Sequence, residues 1–365
     1  MKTIIILSEI DWSYLWQRHQ IFACLYSEAG YRTYYVNRLG MRYPRLNEIG
    51  YVFKRLLSSF RSSSANSADT SVNILNPIFL PGNGCFVRFI NRFFFIPLFK
   101  LKIKVCGELI FHVYQPTSTT LDILDSFSEK KVIYDCVQNF EKHPGRTDKT
   151  LYYESRLIKE SDIMITDSFY LYEKHSKARQ NIIKVSPGVD YEHFSRTFRG
   201  SEAETATNIL YYGHVRDDLD FEIINSIAEM INVKLTIVGT IAESSVKKLS
   251  NRINIVAQQP YSMLPEFIRE ADVLLLPYVI NDFTKAIIPA KFFECLATGK
   301  PIISTPLPDI EKLKDIINIV YTKDDAKSVI ESIPKFESED KRLLRQKIAS
   351  ENSWRSRFES FHREF

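Results

Sequence analysis

Cysteine is scarce in this chain: five among 365 residues, at positions 24, 85, 106, 136 and 295, with no Cys-x-x-Cys pair. An odd, scattered set argues against a disulfide framework and a zinc site, and points to reduced, mostly buried thiols in a cytoplasmic setting. A dominant charge is missing too. Lys and Arg total 48 against 44 Asp and Glu, too weak a bias to imply nucleic acid, though it leaves an anionic substrate or membrane surface open. Long apolar runs are absent. "MKTIIILSEIDW" meets Glu9 and Asp11 after a short run, so it reads as a first strand rather than a signal peptide. "FFFIPLF" at 93–99 falls far short of the roughly 20 residues a spanning helix needs, and no membrane crossing is expected.

What is present is ordinary in amount and regular in order. Apolar residues at 45% and charged residues at 25% fit a soluble globular protein, and the length favours two domains. Short β-rich runs alternate with helical patterns: "TIIILS" before 15–29, "YRTYYVN" before 46–60, "ELIFHVY" before 119–128, "KVIYDCV" before 149–160 and "DIMITDS" before 169–176. After a polar stretch at 195–207 the alternation restarts with "NILYYGHV", "VKLTIVGT", "INIVAQ", "DVLLLPY" and "PIIST". Such alternation signals parallel βαβ units. It predicts two doubly wound α/β domains, 1–187 and 188–350, and a helix over 351–365 with Trp354, Phe358 and Phe361 on one stripe. Ligands of such sheets bind outside the carboxyl ends of the strands, so the active site is expected in a cleft between the domains. The Ser/Asn-rich stretch 58–73 reads as a mobile loop.

"PAKFFECLATGKP", 289–301, concentrates the chemistry. Pro289 suits a first helical turn, and Gly299 with Pro301 supplies the stop. Phe292, Phe293 and Leu296 suit the core, while Lys291, Glu294 and Thr298 share another face. A helix N-terminus offers partly positive N–H groups to an anion, and Lys291 adds a full charge. Glu294 can accept hydrogen bonds from two neighbouring hydroxyls. The competing reading is a surface Lys–Glu pair worth a few tenths of a kcal/mol.

"ADVLLLPYVINDFTKAIIPAKFFECLATGKPIISTPLPDI" resembles the donor-binding signature of nucleotide-sugar glycosyltransferases with the GT-B fold, particularly bacterial enzymes of surface polysaccharide assembly. "SDIMITDSFYLYEKHS", "IIKVSPGVDYEHF" and "ILYYGHVRDDLDFEII" are similar to the family's last N-domain unit, its linker and its first C-domain strand and loop. "SYLWQRHQIFACLYSEAGYRTYYVN" looks like an opening unit of this group. The resemblance is strong from 160 to 310 and weaker before. It implies two Rossmann-like domains facing each other, with the terminal helix crossing back to the N-domain.

By position, the resemblance places Glu294 on a ribose, Lys291 and Lys285 on a diphosphate, and Gly213 where backbone approaches phosphate, with His214 and Arg216 beside it. Residues 256–259, Gln258 among them, would border the base. Each has a bland alternative: Gly213 as a turn, Arg216 paired with Asp217 or Asp220. The family's first glutamate, eight residues before Glu294, is here Ala286, so sugar contacts pass to Asp282, Thr284 or Lys285 and both stereochemical outcomes stay open.

No Asp-x-Asp motif sits in a suitable strand-end loop, because Asp218-Leu219-Asp220 opens a helix; no metal or other cofactor is expected. For a base, strand ends offer Glu9, Asp11, His112 and Asp135, with Asp135 the first choice and Asp11 the second. Arg18 or Gln17 of "WQRHQ" is a candidate for acceptor or phosphate, against a surface role around a packing Trp16. Residues 86–104, "FVRFINRFFFIPLFKLKIK", suit either anionic lipid or a core helix flanked by lysines, the second being preferred. The expected function is metal-independent sugar transfer from a nucleotide sugar, a uridine diphosphate sugar first, to a growing surface glycan or polyprenyl-linked saccharide. The chain would work in the cytoplasm or at the inner membrane face. A nucleotide-sugar 2-epimerase and a non-catalytic nucleotide-binding partner subunit are the alternatives.

Overall fold

The computed structural model describes residues 1–38, 63–67, 70–80, 84–143, 146, 149–197 and 206–364. The chain divides into two units, Met1–Val185 with Phe358–Phe365, and Ser186–Arg357.

The first unit holds strands β1 (Thr3–Leu7), β2 (Arg32–Val36), β3 (Ser63–Ser67), β4 (Thr70–Leu75), β5 (Leu109–Val113), β6 (Lys131–Cys136), β7 (Ile163–Thr166) and β8 (Ile182–Lys184). They form one sheet in the order β3-β4-β2-β1-β5-β6-β7-β8, parallel except for the β3–β4 pair. β1 and β5 are buried throughout, as a strand covered on both faces requires. The final helix, Trp354–His362, lends Phe358 and Phe361, which pack on Phe22 at ring distances of 6.0 and 5.2 Å.

Two sequence expectations are corrected in this unit. Of the stretch 58–73, expected to be a mobile loop, the described residues 63–67 and 70–73 instead form β3 and the start of β4, the rest lying outside the described residues, and Val72 is fully buried beside Thr33 of β2. Val72 and Ile74 alternate with polar residues, a strand period that the Ser/Asn content of the whole stretch had hidden. The helix expected at 46–60 lies outside the described residues.

The second correction concerns 86–104, preferred as a core helix. It is helical from Cys85 to Leu101, passing through a π-helical segment at Asn91–Phe95. Only Asn91, Ile96 and Phe99 of that span are buried, and most of its aromatic rings are exposed.

The second unit is one parallel sheet of β9 (Asn208–Tyr212), β10 (Lys234–Val238), β11 (Asn254–Val256), β12 (Val273–Leu276), β13 (Ile302–Ser304) and β14 (Asn318–Ile319), ordered β11-β10-β9-β12-β13-β14. The order reverses direction between β9 and β12, the switch point at which such sheets bind ligands. Helix Lys291–Thr298 follows β12 and ends at Gly299 in the left-handed conformation, φ 72°.

Fully buried Arg345 clamps that end. It donates to the Gly299 carbonyl at 2.9 Å and the Ile316 carbonyl at 2.8 Å, and pairs with Glu337. Truncating it leaves two buried carbonyls and the partly buried Glu337 without their donor. Arg345→Ala should therefore cost roughly 3–5 kcal/mol in chemical denaturation, whereas a loss below 1 kcal/mol would show that water replaces the guanidinium.

Candidate functional site

β9 runs into Gly213 and β10 into Gly239, and the two glycines lie against each other. Gly213 N–H donates to the Val238 carbonyl at 2.8 Å, and Gly239 N–H to the Val256 carbonyl at 3.0 Å. Both glycines hold positive φ, 127° and 155°, which L side chains rarely adopt. A Cβ on Gly239 would fall on the Gly213 carbonyl, and one on Gly213 would collide with Nζ of Lys291. Backbone and a cation therefore share a space no side chain could enter.

Lys291 opens its helix, whose N-terminus has no side-chain cap. Its ammonium donates to the Tyr211 hydroxyl at 3.1 Å and lies 4.2 Å from the centre of that ring, with Tyr212 and Tyr278 each at 5.9 Å. Aromatic faces hold a cation without neutralising it. Among the described residues no carboxylate forms an ion pair with Lys291. Glu294, one turn on, accepts a hydrogen bond from the Tyr212 hydroxyl at 3.1 Å. Burial pushes its carboxyl up to about 7, against the pull of Tyr212 and Lys291.

The other expected residues divide. His214 and Gln258 are exposed on the loops after β9 and β11. The Tyr211 hydroxyl also donates to the His214 carbonyl at 2.9 Å, and the His214 ring meets Thr240. Arg216 pairs with Asp218 at 3.0 Å, and Lys285 with exposed Asp282 at 3.9 Å. Thr284 is corrected: 1% exposed, it spends its hydroxyl on the Val279 carbonyl within its own loop, leaving none for a sugar. Ala286 is fully buried.

Sequence reasoning missed Tyr211, Tyr212 and Tyr278. A Tyr-Tyr-Gly strand end and the Tyr after β12 were visible signals, but only pairing β9 with β12 brings them to Lys291. It also missed Asp190, which caps helix Tyr191–Ser195 and whose charge helps raise the Glu294 carboxyl.

In the first unit, the base expected at Asp135 and its companions His112 and Arg18 are corrected. Asp135 is fully buried, with Arg18 donating through Nε at 2.7 Å and Nη2 at 3.0 Å, and His112 Nε2 at 3.0 Å. Arg18 also holds the Val185 carbonyl at 2.7 Å. Burial alone would raise the Asp135 carboxyl, but the Arg18 charge and the His112 contact hold it at about 2. Such a saturated carboxylate is a poor base, and Arg18, 6% exposed, is turned inward.

Glu9 and Asp11 remain, on the loop after β1 where the first sheet changes direction between β1 and β5. Both are only partly buried. Burial raises the Glu9 carboxyl although Gln138 donates to it at 2.8 and 3.0 Å. Asp11 accepts from the Arg38 N–H at 3.2 Å. Trp16, which the alternative reading of its segment had packing inward, is 52% exposed beside this loop.

Among the described residues one group could geometrically hold a metal: donor atoms of Cys136, Glu154 and His175 lie within 4.8 Å of one another. Burial raises the Cys136 thiol and the Glu154 carboxyl and lowers His175 to about 4, and the Tyr134 hydroxyl donates to Glu154 at 3.2 Å. The Nε2 of His175, a partly buried residue, has no hydrogen-bond partner among the described residues.

Against known proteins, the glycosyl transferases group 1 family matches residues 207–336. That match lies within the second unit. A curated relative, "Putative teichuronic acid biosynthesis glycosyltransferase TuaH" of Bacillus subtilis (strain 168), is 26% identical over 223 residues, 54% of this chain and 56% of the relative. The match thus spans about half the length of that protein.

Solved structures share the whole fold. Sucrose-phosphate synthase from Thermosynechococcus elongatus gives a TM-score of 0.70 at 14% identity, covering 100% of this chain and 99% of that one. Anabaena Alr3699/HepE in complex with UDP gives 0.61 at 12%, covering 100% and 99%. The fold is GT-B, as the resemblance of residues 160–310 implied.

Two outcomes follow. Gly213→Ala should lower stability by about 1–3 kcal/mol, from strained φ and displacement of Lys291, and an unchanged denaturation midpoint would contradict the crowding. The second is a pH effect. Folded Glu294 keeps its proton up to about pH 7, while its ordinary value is 4.5, so its contribution to stability falls as pH rises through that window. Glu294→Gln, which removes the titration, should gain about 1–3 kcal/mol over the parent chain at alkaline pH relative to acidic pH. A pH-independent difference would refute the raised carboxyl.

Proposed function

We propose that this chain transfers a sugar from a nucleotide donor, a uridine diphosphate sugar first, to a growing surface glycan or polyprenyl-linked saccharide, without a metal. The observation that carries the reading is Lys291, an ammonium with no carboxylate partner among the described residues, beside the open strand end at Gly213 and one turn from Glu294. A cation, uncapped helical N–H groups and close backbone suit a diphosphate. A carboxylate at that distance suits the two hydroxyls of a ribose. The relative named for teichuronic acid biosynthesis and the neighbour in complex with UDP support the direction. The chain is proposed to work in the cytoplasm, peripheral to the inner membrane face where a lipid-linked acceptor lies.

In this reading the bond from the sugar's anomeric carbon to the diphosphate oxygen breaks, and that oxygen keeps the electron pair. Lys291 and the helix N–H groups stabilise the departing charge, with Lys285 a second cation. The acceptor oxygen bonds to the anomeric carbon, and its proton passes to a carboxylate if configuration inverts. Asp11 or Glu9 takes that role in place of Asp135, and the raised carboxyl of Glu9 suits proton uptake.

Calorimetric titration with uridine, guanosine, adenosine and thymidine diphosphates, with chelator present, tests the donor half. Selective binding of one is expected, weakened by about 1.5–3 kcal/mol in Glu294→Ala and Lys291→Ala. Equal affinity in folded variants would remove the assignment. Asp11→Asn or Glu9→Gln should lower transfer about 10²–10⁴-fold while sparing nucleotide affinity. If neither does, the base lies elsewhere.

A further inference from the structure

The helical span from Cys85 to Leu101 turns its greasy side outward. Phe86, Phe89, Phe93, Phe94, Leu98 and Leu101 are 74, 54, 61, 59, 56 and 83% exposed. They recur along the helix at spacings of three or four residues, apart from the adjacent Phe93 and Phe94, so they form one stripe. The adjacent pair sits in the π-helical segment. Pro97 has no N–H to return to Phe93, and the Ile96 N–H bonds five residues back to the Asn91 carbonyl. The extra residue of a π turn brings a second ring onto the stripe.

The opposite face is anchored. Asn91 is 1% exposed, its side chain donating to the Leu80 carbonyl at 2.9 Å and accepting from the Leu80 N–H at 2.8 Å, while Ile96 and Phe99 are buried. The stripe is therefore held outward by packing. Six large apolar side chains on one exposed face exceed the scattered exposure usual on a soluble surface.

Charge narrows the occupant. From Thr70 to Gly107 the sequence contains no acidic residue, and Arg92, Lys100, Lys102 and Lys104 are all exposed along or just after the helix. The cation nearest the first turn, Arg88, is taken by Asp122 at 2.6 Å. Rings and aliphatic side chains fringed by lysine and arginine match the boundary between anionic headgroups and acyl chains. Among the described residues no helix is long and apolar enough to cross a membrane, so the helix would lie in the interface.

We propose that the 85–101 helix is a docking face for an anionic lipid bilayer, seating its phenylalanine stripe among the acyl chains and its basic fringe on the headgroups. This deepens the proposed function by naming the surface that would bring the chain to a lipid-borne acceptor, and it rests on that reading only for its purpose.

The test is flotation of the full chain with phosphatidylcholine vesicles, with and without phosphatidylglycerol, at low and high salt. The parent chain should float with the anionic vesicles and detach substantially in high salt. Phe86→Ser/Phe89→Ser/Phe93→Ser should lose binding about tenfold or more, and Arg92→Glu/Lys102→Glu should lose it on anionic vesicles. Thermal unfolding and uridine diphosphate titration of the same variants should match the parent, since these side chains are exposed. Equal flotation of parent and variants, or no flotation of the parent, overturns the proposal. A dimer broken by the phenylalanine substitutions, without vesicle binding, would assign the face to a second copy instead. Failure of nucleotide binding in the parent sinks the transferase reading and leaves the lipid result standing.

Discussion

The second unit depends on how closely two strand ends and one helix start approach each other. Gly213 and Gly239 stack carbonyl against Cα, and the Lys291 ammonium fills the space a Cβ would take. Interiors pack too densely for any side chain there to be absorbed cheaply. The exposed backbone and the cation are thus one construction. The helix carrying Lys291 is held at its far end by Arg345, whose guanidinium satisfies the carbonyls of Gly299 and Ile316. A buried arginine remote in sequence thereby holds the end of a short helix.

Charged groups in the two units show opposite solutions to desolvation. Asp135 is surrounded by Arg18 and His112 until both its oxygens are used. A carboxylate so paired is stable and chemically quiet. Lys291 and Glu294 are left incomplete, one facing aromatic rings and the other with a carboxyl raised to about 7. Partial satisfaction of this kind is costly to a fold and is commonly retained where a ligand completes it. The same contrast moves attention in the first unit from Asp135 to Glu9 and Asp11. The loop after β1 leaves those two partly open where the first sheet changes direction.

Legibility followed the range of the interactions. Gly299 and Pro301 closing the 291–298 helix are local effects, and alternating apolar runs found the parallel strands because burial on both faces leaves a continuous apolar signal. The β3–β4 pair escaped because its buried side chains, Val72 and Ile74, are diluted by serine and asparagine. The helix from Cys85 to Leu101 escaped for another reason. A run of phenylalanines looks the same whether it faces a core or the solvent, and only the burial of Asn91, Ile96 and Phe99 decides which side is which.

By itself the sequence determined the α/β class, the position of the last helix's apolar stripe and the pairing of Lys291 with Glu294 on one helix face, since each rests on spacings of two to four residues. It could not decide which charges are spent. Asp135, His112 and Arg18 lie 23 and 117 residues apart in their contacts, and Tyr211 reaches Lys291 across 80. Whether a carboxylate meets a guanidinium or open solvent depends on such distant partners and on the desolvation they impose, and those are settled only when the sheets assemble.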